Sequence, residues 1–126
     1  MSNVLVWADI PVLDLERASK FYAHITRGPV VPMEGAEDIT LIMGTEPGGP
    51  DGDMMSVSAD LYLGKPSVEG STVYFNANGD IDGFVARVKE AGGTVTDEKE
   101  FMGEMAGWIA FFLDTEGNRI GVQQPG

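Results

Sequence analysis

The 126 residues suit one domain, long enough to bury about two-thirds of the surface exposed by the unfolded chain without help from a disulfide or structural metal. There is no cysteine, which excludes thiol catalysis, disulfides and Cys-ligated zinc. Twenty acidic residues against eight basic ones leave a net charge of −12, which repels phosphate backbones and anionic lipid heads, so nucleic acid and membrane are poor partners. That charge serves solubility, a salty habitat, or the attraction of cationic or polar small molecules. The start, Met1-Ser2-Asn3-Val4, lacks a basic region followed by an apolar one, and no apolar run approaches the roughly 20 residues that cross a bilayer, so the expectation is a soluble cytoplasmic protein.

Val4 to Val12 is apolar and β-compatible, with Pro11 near its end where a missing N–H matters least. Asp14 can cap a following helix in which Leu15, Ala18, Phe21, Tyr22 and Ile25 recur at the spacing of one buried face. Gly28-Pro29 stops it. Val30 to Met33, Asp38 to Met43 and Met54 to Leu63 read as strands, and the Gly- and Pro-rich loop Gly44 to Asp53 before the last of them is a candidate lid.

Ser71 to Ala77 then reads as a strand through its Val-Tyr-Phe centre. Asp80 caps a second helix, with Ile81, Phe84, Val85 and Val88 inward and Gly92-Gly93 at its end. Thr94 to Thr96 and Trp108 to Leu113 are strand candidates. A tight turn over Asp114 to Asn118, with Gly117 available for positive φ, leads to a last strand from Arg119 to Gln124. The caps Asp14-Leu15-Glu16 and Asp80-Ile81-Asp82 lie 66 residues apart, half the chain, and each half continues with further strands. A repeat of this size points to paired half-sites. No linker separates the halves, so they are expected to share a core.

The stretches Trp7-Ala8-Asp9-Ile10-Pro11-Val12, Asp14-Leu15-Glu16-Arg17-Ala18 with Phe21-Tyr22, Val73-Tyr74-Phe75-Asn76, and Phe112-Leu113-Asp114-Thr115-Glu116-Gly117-Asn118-Arg119-Ile120-Gly121 together resemble the vicinal oxygen chelate superfamily. That group includes glyoxalases, extradiol dioxygenases, fosfomycin-modifying enzymes and bleomycin resistance proteins. The likeness runs from about Val4 to Gln124 and is specific for fold rather than activity, because the fold carries unrelated chemistries. It implies an α+β fold, two tandem βαβββ modules forming a curved sheet around a central cleft, within one domain over 1–126: module one about 1–66, module two about 67–126.

Metal-dependent members of that superfamily place a His on the first strand, a His on the strand opening the second module and a Glu on the last strand. Carried over by motif, these positions fall on Trp7, on Thr72 (or Val73, with a one-residue register error near Asn78-Gly79) and on Gly121. None is a plausible zinc or iron ligand, whereas an open catalytic site generally requires about three protein ligands. No metal and no cofactor is therefore expected. The lone histidine, His24, falls on the first helix and reads as a surface residue.

Strand alternation puts Trp7, Asp9 and Pro11 on one face, with Val6, Ala8, Ile10 and Val12 toward the helix. The same reasoning turns Thr72, Tyr74 and Asn76, and Arg119, Gly121 and Gln123, toward the implied cleft, joined by Asp60 and Tyr62. Trp7, Asp9, Asp60, Tyr62, Thr72, Tyr74, Asn76, Arg119 and Gln123 are thus the candidate ligand-binding set; no catalytic residue is assigned. Trp7 can equally fill the space of an absent metal, and Asp9 can equally pair with Arg119. Trp108 reads as packing, and Met54, Met55, Met102 and Met105 as a pocket rim or as gap fillers. No Ser-His-Asp set can be assembled around His24, and Gly48-Gly49 lacks the Lys-Ser/Thr sequel of a phosphate loop.

The reading is a metal-free small-molecule binding protein, similar in type to bleomycin resistance proteins, homodimeric, with a cationic or strongly polar ligand in the cleft near Asp9 and Trp7. The rival is a glyoxalase-like lyase or isomerase with an oxygen-rich Mg²⁺, Mn²⁺ or Ca²⁺ site at Asp9 and Asp60. A third reading is an interaction module whose cleft is filled by side chains.

Overall fold

Each helix starts where an aspartate in non-helical conformation accepts a hydrogen bond from the backbone N–H three residues on, which satisfies one of the donors a helix leaves open at its first turn. Asp14 accepts from Arg17 at 3.0 Å and Asp80 from Gly83 at 2.9 Å. The computed structural model describes residues 7–42 and 58–125. Val4 to Val6 of the first expected strand, the candidate lid Gly44 to Asp53, and Met54 and Met55 lie outside them.

The chain divides into two compact units, Met1–Pro66 and Ser67–Gly126. The first contains β1 (Trp7–Val12), α1 (Leu15–Thr26), β2 (Val30–Met33), β3 (Ala36–Ile42) and β4 (Ser58–Leu63). The second contains β5 (Val73–Asn76), α2 (Ile81–Glu90), β6 (Thr94–Phe101), β7 (Trp108–Leu113) and β8 (Arg119–Gln124). Both are βαβββ modules, and the fold class is α+β. The sheets are mixed and ordered β1-β4-β3-β2 and β5-β8-β7-β6, so in each the first strand of the module runs parallel to its last.

One sheet face in each module is closed by its helix. Ile10, Val12, Ala59 and Leu61 are buried together with Ala18, Phe21, Tyr22 and Ile25 of α1. In the second module Ile120, Val122, Ala110 and Phe112 are buried with Ile81, Phe84 and Val88 of α2. Burial of apolar surface on this scale, at roughly 25 cal/mol per Å², is the main favourable contribution to folding of each module. Leu15 and Val85, expected inward, are only half-buried at the helix margins.

Four elements differ from the expectation at their boundaries, and the simplest case is β5, which runs over Val73–Asn76 rather than Ser71 to Ala77, so that Thr72 precedes the strand. The first helix ends at Thr26, and Arg27 rather than Gly28 takes the left-handed conformation, φ 59°, with its N–H on the Ala23 carbonyl. Gly28 is disfavoured in helical conformation because Pro29 follows it, so the chain must turn one residue earlier. β3 begins at Ala36, two residues early, where the Glu34-Gly35 turn with Gly35 at φ 85° closes its hairpin with β2. β6 extends to Phe101 rather than Thr96: Asp97, Glu98, Lys99 and Glu100 are exposed, and register shifts at Val95/Asp97 and Asp97/Glu100 interrupt its pairing to β7. A charged, bulged edge strand resists pairing with another chain, and the same charges hide it from an apolar pattern.

The turn before β8 is rigid for a readable reason. Asp114 Oδ1 accepts from the backbone N–H groups of Glu116 and Asn118 at 2.8 and 2.9 Å, and Oδ2 accepts from Asn118 Nδ2 at 3.0 Å. Gly117 at φ 100° makes the reversal possible. Asn118 Oδ1 in turn accepts from Ser67 N at 3.0 Å, tying the start of the second module to the start of β8.

A candidate ligand site on the first module

Along β1 the alternation of side chains leaves Trp7 and Asp9 exposed and Ile10 and Val12 buried, the face assignment made from sequence. The parallel pairing then sets Asp9 directly opposite Asp60 and Trp7 opposite Ser58. Residues 51 positions apart in the chain thus present two carboxylates side by side on one sheet face. Trp7 leans along the strand so that its indole N–H donates to Asp60 Oδ2 at 2.7 Å. That bond fixes the Asp60 carboxylate and leaves Oδ1 as the buried oxygen with no hydrogen-bond donor, the one such side-chain atom among the described residues.

Asp60 is 6% exposed, and burial is the first reason its pKa rises from 3.8 to about 6. Hydrogen bonding to Asp9 raises it further, the Trp7 N–H opposes the rise by favouring the ionised form, and the charge of Asp9 adds to it. A pair of like charges in contact is a state the fold must hold against their repulsion, and such pairs collect at sites that take a ligand or move a proton.

The pair opens into a cavity of about 360 Å³ lined by Asp9, Asp38, Ile39, Asp60, Tyr62 and Leu63. The size is that of a small organic ligand rather than of a bare ion. β3 supplies Asp38 and Ile39, with Ile39 opposite Tyr62. Of the residues lining this cavity the sequence reading named Asp9, Asp60 and Tyr62 and did not name Asp38, Ile39 and Leu63; Trp7, which it also named, reaches Asp60 but does not line the cavity. The only signal for Asp38 and Ile39 was their place at the start of an expected strand; that this strand lies beside β4 is a tertiary fact.

In the second module the corresponding positions are engaged with one another. Arg119 Nη1 donates to Thr72 Oγ1 at 3.0 Å, and its guanidinium lies 3.9 Å from the centre of the Phe111 ring. Tyr74 meets Phe111 edge to face at 5.7 Å and covers Gly121, where an added Cβ would come within 2.5 Å of the ring. Asn76 accepts from the N–H of Asn78, and Gln123 donates to the Ala106 carbonyl at 2.9 Å. Thr72, Tyr74 and Arg119 form one cluster; Asn76 and Gln123 hold neighbouring backbone. Trp108 packs between Phe101 at 5.3 Å and the Lys99 ammonium at 4.8 Å, while Met102 and Met105 stand exposed.

The positions that a superfamily chelate would need do not fit a metal. The Trp7 indole nitrogen is a donor only and is spent on Asp60, the Thr72 hydroxyl accepts from a guanidinium, and Gly121 has no side chain. His24 is exposed in the last turn of α1. Among the described residues no three His, Cys, Asp or Glu side chains are grouped to hold an ion. Nor is any described helix long and apolar enough to cross a membrane.

Comparison with known proteins bears on this site. A family model described as Glyoxalase/Bleomycin resistance protein/Dioxygenase superfamily matches residues 4–122. Among solved structures, a glyoxalase/bleomycin resistance protein from Albidiferax ferrireducens is similar with a TM-score of 0.75 and 22% identity, over 98% of this chain and 100% of that one. TnmS3, an antibiotic binding protein from Streptomyces sp., is similar with a TM-score of 0.66 and 24% identity, over 98% and 97%. A mutant fosfomycin resistance protein from Listeria monocytogenes, complexed with Mn(II) and a dihydroxypropylphosphonic acid, gives 0.70 and 14%, over 100% and 93%. At these identities the likeness is one of fold. No curated protein matches.

Proposed function

This chain belongs to the glyoxalase/bleomycin resistance protein/dioxygenase superfamily, and we propose that it serves there as a small-molecule binding protein that retains its ligand without converting it. The observation that carries the proposal is Asp60: a buried carboxylate, oriented by Trp7, that has one oxygen without a donor and belongs to a residue lining a ligand-sized cavity. A fold that only needed a core has no use for such a group, since an unmatched buried polar atom costs roughly 1–3 kcal/mol. The antibiotic-binding function of a protein with this fold is consistent with the reading. The proposal includes the whole chain acting as one domain, a cytoplasmic setting, and a homodimer, the commonest assembly for chains of this kind.

The rival reading, a glyoxalase-like lyase or isomerase working through a divalent ion on Asp9 and Asp60, has the acid pair in its favour. Against it stand the commitment of one Asp60 oxygen to Trp7 and the lack of a third grouped ligand among the described residues. Elemental analysis after native purification, with a thermal-shift screen of small molecules, tests the choice. Binding without turnover and without stoichiometric metal is expected. One tightly held zinc, nickel or iron per chain overturns it.

A further inference from the structure

We infer that the first-module cavity selects a protonated primary or secondary amine on an apolar body, its N–H groups shared between Asp9 and Asp60 while Ile39, Tyr62 and Leu63 receive the body. The inference rests on the ligand-binding reading above and gives that ligand a chemical class.

Four ligand chemistries compete for the cavity. An anion meets Asp9, Asp38 and Asp60, with no lysine or arginine among the lining residues. A divalent ion needs several oxygens at once, and Trp7 already takes Asp60 Oδ2. A neutral hydroxyl can donate to Asp60 Oδ1 but leaves the repulsion between two adjacent carboxylates unanswered. An ammonium with N–H groups does both: it supplies the missing donor and places positive charge between the acids, and charge-assisted bonds of this type are the strong ones.

The N–H requirement separates this site from an aromatic cage. A quaternary ammonium is attracted to the faces of Trp and Tyr, but has nothing to give Asp60 Oδ1. Here the Trp7 indole is used edge-on, as a hydrogen-bond donor to the carboxylate. The groups facing Asp60 are Asp9 and Trp7 from β1 and Leu41 opposite it on β3, with Tyr62 further along β4 and Asp38 elsewhere on the cavity wall; α1 covers the opposite sheet face with Ala18, Phe21, Tyr22 and Ile25. Below about pH 6 the Asp60 carboxyl holds a proton in the free protein, and an amine entering the site displaces that proton.

Calorimetric titration of the full chain at pH 7.5 with 2-phenylethylamine, the neutral 2-phenylethanol and the quaternary trimethyl derivative of the amine tests the assignment. The amine is expected to bind at least tenfold more tightly than either analogue. Asp60→Asn and Asp9→Asn, each checked for folding by circular dichroism, are expected to weaken the amine about tenfold or more and the alcohol by a much smaller factor, since the variants keep a neutral acceptor and lose only the charge. Repeating the titration at pH 5.5 in two buffers of different ionisation enthalpy should show net proton release that vanishes at pH 8. Equal affinity for amine and alcohol overturns the inference while the binding reading stands. Tighter binding of the quaternary compound overturns it in favour of an aromatic cage. Saturable Mg²⁺ or Mn²⁺ binding abolished by Asp60→Asn overturns both. No binding of any of the three probes removes the amine assignment, and metal analysis then decides the broader reading separately.

Discussion

The two modules repeat the same cap, the same helix and the same parallel pairing of first and last strands, yet differ in the residues that meet on the face away from the helix. In the first, Asp9 stands opposite Asp60; in the second, Tyr74 stands opposite Gly121. The tyrosine ring closes over the glycine, and Arg119 finds both a hydroxyl and an aromatic face within its own module. The acid pair is not closed in this way: one oxygen of Asp60 has its donor and the other lacks one. The same backbone frame therefore carries one face whose groups satisfy one another and one face that leaves an oxygen of Asp60 without a donor.

The sharpest way to break the second face is to place a side chain at Gly121. Because a Cβ there would lie 2.5 Å from the Tyr74 ring, Gly121→Val should destabilise the protein by about 1–3 kcal/mol through overpacking, read as a fall in Tm and in denaturant midpoint. Adding Tyr74→Ala to it should cost less than the sum of the two single changes, since the clash is removed with the ring. Additive losses would show that the two residues are not in contact.

The opposite result is expected in the first module. The folded-state pKa of Asp60 lies above its ordinary value, so the folded protein binds more protons than the unfolded chain between about pH 4 and 6, and stability from this group is present at low pH and lost as pH rises through about 6. Asp60→Asn keeps an acceptor for Trp7 and removes the charge. Around pH 7.5 it should raise stability, by an amount on the order of 1–2 kcal/mol, and flatten the pH dependence of Tm between 5 and 7, while amine binding weakens about tenfold or more. Thermal melts across that range check it; a variant less stable than wild type at neutral pH would mean that Asp60 is a structural group.

The smallest effects should be equal in the two modules. Asp14→Ala and Asp80→Ala each remove one capping bond of 3.0 and 2.9 Å and should cost about 1 kcal/mol apiece, with no change in ligand affinity. Unequal costs by denaturant titration would show that the repeated caps are not equivalent.

What the sequence made legible was local. The caps, the apolar faces of both helices and the parity of each strand follow from spacings of two, three and four residues, and parity was enough to put Trp7 beside Asp9 and to turn Asp60 and Tyr62 to the same face. The contribution of Asp38 and Ile39 was not legible, because it depends on β3 lying beside β4. Nor was the hydrogen bond from Arg119 to Thr72, 47 residues away, which depends on how the chain before β5 lies beside β8. The charged half of β6 escaped for a different reason: an edge strand with both faces exposed carries no apolar signal. In the turn before β8 the buried carboxylate of Asp114 is explained only once the backbone folds its N–H groups around it.

The central claim is that Asp9 and Asp60 form an incomplete acid pair awaiting a cation. Carbon-detected NMR titration of the aspartate carboxyls, without and with saturating 2-phenylethylamine, tests it most directly. Asp60 should titrate near pH 6 in the free protein and move to lower pH when the amine binds, because a cation favours the ionised form. Titration near 3.8 in the free protein, unmoved by the amine, would contradict the account.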